Sequence, residues 1–493
     1  MPTDIANESV DASSGQLVHG RAWRLEPTAD QVVSIALPHP AASRGPRFVH
    51  GASLGDGPSV LAVDPTGRRL AIGHRTVATD FEIIEIWNVG CIDESMHLAG
   101  SFKVADAPRG LTWVDARTLL VSWGPVGGPG GLDLWDIDPT TAASGRLSSV
   151  AAGPLPGQPV LHPSQPVVYV PDALEATIRW WTVRPGGQLV PGAGFDSPIA
   201  GGRMRGSVGP TGPPGHREEA GPERSSMIHL PGPSPRSLGG AGPLEVAVAA
   251  SGEMLHWIAP GGLREERGIL GRVAIKASGS LDSAHISLRR LDASGPIGLE
   301  LVPPVGGSGP SGSSIAPGTA PGRGPGSGPE RGPGVGPGSG PGRGPGSGPG
   351  TQPRTAHSPE FVVIAFGDDG SLRSYELAHA SDGAGAGAFP HLAPHPVRII
   401  GRVREVSLTA IDRLRLARPG RLAGIARSGD RIVVSTGGRE TDSGSAAGVH
   451  LVRVAEDGTL HRAGHAVRKP RSTGAAGMVV VAPHAGQDPV DGP

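Results

Sequence analysis

The chain has 493 residues, including 80 glycines, 52 prolines and a single cysteine, Cys91. Its 44 basic and 45 acidic side chains give a net charge of −1, so no overall positive field favours nucleic acid or an anionic membrane as a partner. One cysteine excludes an internal disulfide and any zinc site that needs several thiolates. The N-terminal stretch lacks the basic and apolar regions of a signal peptide, and no apolar run is long enough to span a bilayer. We therefore expect a cytoplasmic protein.

The first 190 residues repeat a pattern of two strands three times. In each copy an apolar strand is followed by a strand of mixed polarity that contains a tryptophan. These tryptophans, Trp87, Trp135 and Trp181, are 48 and 46 residues apart, a period typical of propeller blades. We expect the adjacent Trp180 and Trp181 to face opposite sides, one packed between blades and the other nearer the surface. In chain order the pairs are RRLAIG (68–73) with FEIIEIWNVG (81–90), RTLLVSW (117–123) with GLDLWDIDP (131–139), and VVYV (167–170) with TIRWWTV (177–183).

Later segments continue the pattern. LEVAVAASGEMLHWIAP (244–260) and the stretch 271–295 carry strands of one or two blades. FVVIAF (361–366) is joined through GDDG to SLRSYEL (371–377), which indicates a compact hairpin. In the last copy, DRIVVST (430–436) leads to GVHLVRVAEDG (448–458).

Three stretches do not fit a blade. Residues 191–243 contain few large apolar side chains, and residues 303–358 are almost entirely Gly, Pro and Ser, with GRGPGSGP (322–329) recurring at 342–349. SDGAGAGAFP (381–390) is a shorter stretch of the same kind. Such segments cannot bury enough apolar surface to offset their ordering entropy, so we predict disordered insertions.

Together these units predict an all-β chain folded as a β-propeller. Seven blades fit the units best, with six and eight as alternatives. The late strand GMVVVAP (477–483) is placed to close the ring against QVVSIALP (31–38), which would remove exposed sheet edges. The predicted segments are a disordered tail (1–20), the first blades (21–190), a disordered insertion (191–243), the middle blades (244–302), a low-complexity insertion (303–358), the last blades with the ring closure (359–483) and a second disordered tail (484–493).

The strand DLWDID, which contains Trp135 and Asp136, resembles the end of a blade in propellers of the WD40/YVTN-like superfamily. WD40 repeats place a Gly-His pair some tens of residues earlier, but SMHLAGSF stands before Trp135 here. A Gly-His pair does occur at Gly73-His74, although not at the WD40 position relative to Trp87. The resemblance implies the superfamily rather than strict WD40 repeats.

A second resemblance is carried by HPSQPVVYVPDALEATIRWWTVRPGGQLVPG (162–192), which is similar to a blade of the seven-bladed phosphogluconolactonase-like propellers. The Gly-x-Leu exit that recurs in blades of that family is also present in VRVAEDGTLHRAG (452–464). Members of that family hydrolyse sugar lactones with a histidine just ahead of such a strand and nearby acidic and arginine partners. The corresponding segment here, GPLPGQPV, has no histidine, and His162 lies at the turn instead.

Several motifs lack the context that their chemistry needs. GASLG (51–55) matches the nucleophile pattern around Ser53, but a turn and a strand follow it rather than a helix. None of the three lysines follows a glycine, which excludes a P-loop. We therefore predict no catalytic residue, no cofactor and no metal site. Two histidine pairs have i, i+4 spacing outside any helix, His391/His395 and His461/His465.

Arginines are concentrated between residues 402 and 427, where Glu405 and Asp412 are the only acids. Such a local excess of positive charge can hold a phosphate group or an acidic partner, although an Arg-rich chain also places arginines on solvated strands and turns. The candidate contact residues are Arg402, Arg404, Arg413, Arg415, Arg418, Arg421 and Arg427.

Three functions remain open from the sequence. The first, which we favour, is a non-catalytic, monomeric interaction scaffold that binds a protein or peptide. The alternative is a lactonase-like hydrolase with its site at the mouth of the propeller channel. The third is a propeller that binds a small anion through the arginines of 402–427. Because propellers host many functions, the fold alone does not choose among them.

Overall fold

The computed structural model divides the chain into two units, residues 1–303 with 359–493, and residues 304–358. All described residues belong to the first unit, so the low-complexity insertion lies outside them. The structure describes residues 18–26, 30–38, 45–54, 57–75, 82–90, 95–125, 128–173, 177–192, 227–229, 245–259, 267–302, 360–377, 406–407, 410–418, 421–428, 431–437, 447–468 and 479–481.

Within these residues the chain is all-β, and its strands form seven sheets, each of which is one propeller blade. Blade 1 joins β1 (Val18–Glu26), β2 (Gln31–Pro38) and β3 (Arg47–Ser53) to the C-terminal strand β30 (Val479–Val481). Blade 2 contains β4 (Pro58–Val63), β5 (Arg69–His74), β6 (Glu82–Val89) and β7 (Met96–Val104). Blade 3 contains β8 (Pro108–Trp113), β9 (Thr118–Trp123), β10 (Gly130–Ile137) and β11 (Ser144–Gly153). Blade 4 contains β12 (Val160–Leu161), β13 (Val167–Asp172), β14 (Thr177–Arg184) and β15 (Gln188–Pro191), with β16 (Met227–His229) also paired to β14.

The remaining three blades follow the same order. Blade 5 contains β17 (Glu245–Val248), β18 (Met254–Ala259), β19 (Ile269–Ile275) and β20 (Leu281–Arg290), with β24 (Val406–Ser407) added in parallel to β20. Blade 6 contains β21 (Pro296–Val302), β22 (Glu360–Phe366), β23 (Ser371–Leu377) and β25 (Asp412–Arg415). Blade 7 contains β26 (Leu422–Ser428), β27 (Arg431–Thr436), β28 (Ala447–Val454) and β29 (Leu460–Arg468).

The apolar strands of the sequence patterns become the second strand of each blade. β5, β13 and β27 are buried at every position, because each has a neighbouring strand on both sides and a neighbouring blade on both faces. The outermost strand β11, by contrast, is exposed or half-buried at all but one position. Burial therefore falls from the second strand of a blade to its edge.

Seven apolar clusters hold the ring together, and each joins two neighbouring blades. Trp180 packs in the cluster between blades 4 and 5, and Trp181 in the cluster between blades 3 and 4. The two tryptophans face opposite sides as expected, but both are buried, so the expectation that one lies nearer the surface is wrong. β14 is the third strand of its blade, with a blade packed on each face.

The ring closes within blade 1, but not by the predicted pairing. β30 pairs with β1 at Ala22–Arg24, and β2 lies on the other side of β1. The C-terminal strand is therefore the innermost strand of the closing blade. This blade completes the count of seven, since the stretch 244–290 supplies one blade rather than two and β21 already belongs to blade 6.

Two strands lie inside segments that were predicted to be disordered. β1 begins at Val18, inside the predicted tail 1–20. β16 lies inside the predicted insertion 191–243 and continues the outer edge of blade 4 beyond β15. The tail 484–493 and the stretch 381–390 lie outside the described residues.

Candidate functional site

The inner strands β30, β4, β8, β12, β17, β21 and β26 lie next to one another around the ring. In β4, β8, β21 and β26 the register with the second strand shifts after the first residue, which is a shared β-bulge. The residue after the bulge in β8 is Gly110, where an added Cβ would lie 2.5 Å from the Cα of Gln158 in blade 4. Neighbouring inner strands therefore approach closely enough for their side chains to bond the next blade.

Two glutamates connect the inner strands of blades 5, 6 and 7. The Leu299 N–H in β21 donates to Oε2 of Glu245 in β17 at 2.9 Å. Glu300, the next residue of β21, accepts a hydrogen bond from the backbone N–H of Arg427 in β26. Each carboxyl group thus binds an N–H at the inner edge of the next sheet, where the described part of the chain has no further strand.

Burial controls the charge of both carboxyl groups. It raises the pKa of Glu245 to about 8, and the nearby Glu300 adds to this effect against the Leu299 hydrogen bond. Burial also raises the pKa of Glu300 to about 7, while the charge and backbone N–H of Arg427 lower it. At neutral pH Glu245 is therefore mainly protonated and Glu300 is partly ionised. These groups can exchange protons near pH 7, and the sequence analysis did not identify them.

On the other side of the ring, one arginine lies at the start of an inner strand. Arg109, the second residue of β8, donates from Nε to the Gly124 carbonyl oxygen at 2.9 Å. Its Nη2 is buried without a hydrogen-bond partner. Burial and the charge of Arg75 lower its pKa, against the opposing charges of Asp106 and Glu82.

A network of charged side chains joins blades 5 and 6. Arg373 contacts Asp369 at 2.5 Å and Asp292 at 2.8 Å. The Tyr375 hydroxyl donates to Asp292 at 2.5 Å, and Arg413 contacts Asp369 at 2.9 Å. The charges of the two arginines and the two aspartates balance. The network therefore holds the turn between β22 and β23 and leaves no net positive charge to attract an anion.

The predicted arginine cluster is spread over several places in the structure. Arg413 and Arg415 lie on β25, the outermost strand of blade 6, and Arg413 is paired with Asp369. Arg418 and Arg421 lie between β25 and β26, and Arg427 is on the inner strand β26. Arg402 and Arg404 lie outside the described residues. The structure therefore places the described arginines on an outer strand, a connection and an inner strand.

His162 has a structural role at a turn. Its Nδ1 accepts hydrogen bonds from the backbone N–H groups of Ser164 and Gln165, at 3.2 and 3.1 Å. Because Nδ1 accepts, Nε2 carries the proton and donates to the Gly252 carbonyl oxygen of blade 5 at 2.8 Å. Asp64 and Asp115 cap the corresponding turns of blades 2 and 3 in the same way. Both nitrogens of His162 are thus engaged by the backbone.

The other residues singled out in the sequence lie on strands or outside the described residues. Ser53 is the exposed last residue of β3, and the described residues between it and β4 contain no helix. His461 and His465 both lie on the strand β29, and His465 stacks on His450 at 6.2 Å between ring centroids. His74 contacts Glu85 at 3.1 Å. Cys91, His391 and His395 lie outside the described residues.

The exposed large apolar side chains of the described residues belong to outer strands or their flanks. They are Leu98 on β7, Leu147 on β11, Ile411 just before β25 and Val467 on β29. β11 has ten residues, and Arg146 is its only charged side chain. In the part of the chain that the structure describes, no further strand pairs with its outer edge. β29 carries His461, Arg462, His465 and Arg468 along its nine residues.

Two features are absent from the described residues. Among them, no group of three or more His, Cys, Asp or Glu side chains is arranged to hold a metal ion. The same residues contain no helix that is both long and apolar enough to cross a membrane.

No protein-family model and no curated protein matches the chain. It is similar to the solved structure of a Lactobacillus plantarum protein at 10% identity and a TM-score of 0.51, over 94% of this chain and 99% of that one. A hypothetical selenium-binding protein from Sulfolobus tokodaii is 9% identical with a TM-score of 0.50, over 94% and 93%. The periplasmic gluconolactonase of Pseudomonas aeruginosa is 12% identical with a TM-score of 0.49, over 94% and 99%. At these identities the similarity concerns the fold alone. The chain is a seven-bladed β-propeller.

Proposed function

We propose that this protein is a non-catalytic scaffold that binds a protein partner by strand addition at the outer edge of blade 3. The supporting observation is β11, a ten-residue edge strand with a single charged side chain and the exposed Leu147. An edge of this length with exposed apolar groups offers main-chain hydrogen bonds and a side-chain contact to an extended peptide.

The chain itself provides an example of this mode. β24 adds to the outer edge of β20 in blade 5, where Val406 and Ser407 pair with Arg289 and Arg290. Leu147 already packs against blade 4, because a Cβ added to Gly187 would lie only 2.4 Å from its Cδ1 atom. A bound strand would extend this contact between blades 3 and 4.

Selection from a library of extended peptides on the immobilised protein tests the proposal. Leu147→Lys places a charge on the edge and should abolish binding of the selected peptides. Val467→Lys makes the same change on β29, where Val467 is similarly exposed, and should leave binding intact. Binding that survives Leu147→Lys, or that is lost only on deletion of residues 303–358, would contradict strand addition at β11.

The lactonase-like alternative has one observation in its favour. Arg109 stands at the start of an inner strand with an unpartnered Nη2, close to the acidic Asp106 and Glu82. A panel of sugar lactones, assayed with the wild type and Arg109→Met, tests it. Hydrolysis that falls with Arg109→Met would replace the scaffold proposal by this one.

A further inference from the structure

Blade 5 presents three basic side chains to blade 6, which we call the blade-5 cluster: His256, Arg272 and Arg289. His256 on β18 is directly opposite Arg272 on β19, so both side chains project from the same face of the sheet. Arg289 on β20 is opposite Leu270, two residues from Arg272, and therefore shares that face. Leu270 packs in the apolar cluster between blades 5 and 6, which identifies the face.

His256 is the unusual member of the cluster. It is 2% exposed, and neither of its ring nitrogens has a hydrogen-bond partner among the residues that the structure describes. Burial and the charges of Arg272 and Arg289 lower its pKa to about 4, so the imidazole is neutral at pH 7 and offers one donor and one acceptor. Leaving both sites unused in the interior is costly, which indicates a group that the ring is placed to contact.

The two arginines carry the positive charge of the cluster and are its solvent-accessible members. Both remain partly accessible, whereas His256 does not. Burial and the charge of Arg289 lower the pKa of Arg272. Of the acids on the two facing sheets, Glu245 is bonded to Leu299 N and mainly protonated at pH 7. Glu360 begins β22 opposite Leu377, a member of the same apolar cluster, so it lies on the face of blade 6 that is turned to blade 5.

We propose that the blade-5 cluster binds a phosphate-type oxyanion between blades 5 and 6. Two guanidinium groups and an imidazole on one face of the sheet supply several N–H donors, which suits a tetrahedral anion with several acceptor oxygens. The ligand would enter past the partly accessible arginines and contact His256 at the inner end. This site is separate from the edge of β11 and from the arginines of 402–427.

Isothermal titration with inorganic phosphate at pH 7 and fixed ionic strength tests the site, with sulfate and acetate as comparison anions. The wild type should bind one phosphate, sulfate should compete, and acetate should bind far more weakly. Arg289→Gln should weaken phosphate at least about tenfold, and Arg272→Gln should do the same. Titrations in buffers of different ionisation enthalpy should show proton uptake, because a bound anion favours the protonated form of His256.

Arg462→Gln is the matched control, since Arg462 also lies near a buried histidine, His450, whose pKa it helps to lower. Its phosphate affinity should equal that of the wild type. Thermal melts of each variant establish that folding is retained. The proposal is wrong if the wild type shows no saturable binding, if acetate binds as tightly as phosphate, or if Arg462→Gln weakens binding as much as Arg289→Gln. It is also wrong if phosphate binds only to Glu360→Gln, because Glu360 would then be the native occupant.

Discussion

Blades 3 and 4 join their inner strands through an amide, whereas blades 5 and 6 use a carboxylic acid. Gln158 donates from Nε2 to the Leu111 carbonyl oxygen and to the Thr112 hydroxyl at 2.8 Å, and its Oε1 accepts from Leu111 N at 3.2 Å. Glu245 accepts from Leu299 N at 2.9 Å. Both side chains bond the inner-strand backbone of an adjacent blade.

The two residues also occupy the same position within their blades. In blade 4, the His162 N–H closes the turn after the inner strand, and Gln158 lies four residues before it. In blade 5, the Ala249 N–H closes the same turn, and Glu245 again lies four residues before it. Both positions thus place a planar acceptor group against an inner-strand N–H, Gln158 in the preceding blade and Glu245 in the following one. The acid can accept this hydrogen bond in either form, but burial disfavours its ionised form, so this part of the ring depends on pH.

Gln158→Glu should make the blade 3–4 contact pH-dependent, and it should have the largest effect. The substitution removes the amide donor to Leu111 and Thr112, and it places a carboxylate beside the Leu111 carbonyl oxygen once ionised. We expect a loss of about 4 kcal/mol in the free energy of unfolding at pH 8, and a much smaller loss near pH 4.5. Urea unfolding at both pH values measures it. The exposed Gln188→Glu is the control, and an equal loss at both pH values would contradict the argument.

Glu245→Gln should do the reverse and remove pH dependence from the blade 5–6 contact. Folding raises the pKa of Glu245 from 4.5 to about 8, so its stabilising effect is complete below about pH 4.5 and is lost as the pH rises through 8. The amide still accepts from Leu299 N. We expect the variant to match the wild type at pH 4.5 and to be more stable by on the order of 3 kcal/mol at pH 8.5.

Glu376→Gln is the control for this measurement, because Glu376 is an exposed carboxylate on β23. Its variant should change stability by only a few tenths of a kcal/mol at either pH. If Glu245→Gln and Glu376→Gln behaved alike at pH 8.5, folding would not raise the pKa of Glu245.

The sequence was sufficient for the architecture because blade strands carry local signals. Apolar strands bounded by turns, and tryptophans at a nearly constant period, predicted seven blades. The innermost strands carry weaker signals, since β12 has two residues and β17 has four. Ring closure was predicted against QVVSIALP, which became β2, whereas the strand that pairs with β30 is β1.

The site residues were harder to predict, because their partners are distant in sequence. Arg413 was a candidate for binding an anion, but Asp369 in the GDDG turn, 44 residues earlier, pairs with it. Glu300 did leave a signal, since it stands between Leu299 and Leu301 in an apolar strand. A lone acid in such a strand is costly to bury without a partner and so indicates a specific contact. Which N–H it binds depends on the neighbouring blade, and the strand itself contains no information about that.

Thr112→Val should show what the hydrogen bonds of the blade 3–4 contact contribute without any change of charge. We expect the smallest effect of the three substitutions. The Thr112 hydroxyl donates to the Pro159 carbonyl oxygen at 2.5 Å and accepts from Gln158 Nε2, and no group in this contact titrates between pH 5 and 9. We expect a loss of about 1–2 kcal/mol at every pH in that range, since valine keeps the shape and removes one donor and one acceptor. Urea unfolding across the range measures it, with the exposed Thr140→Val as control. A loss that grew with pH would contradict this expectation. It would mean that ionisation of the Glu245 and Glu300 carboxyl groups affects the blade 3–4 contact on the other side of the ring.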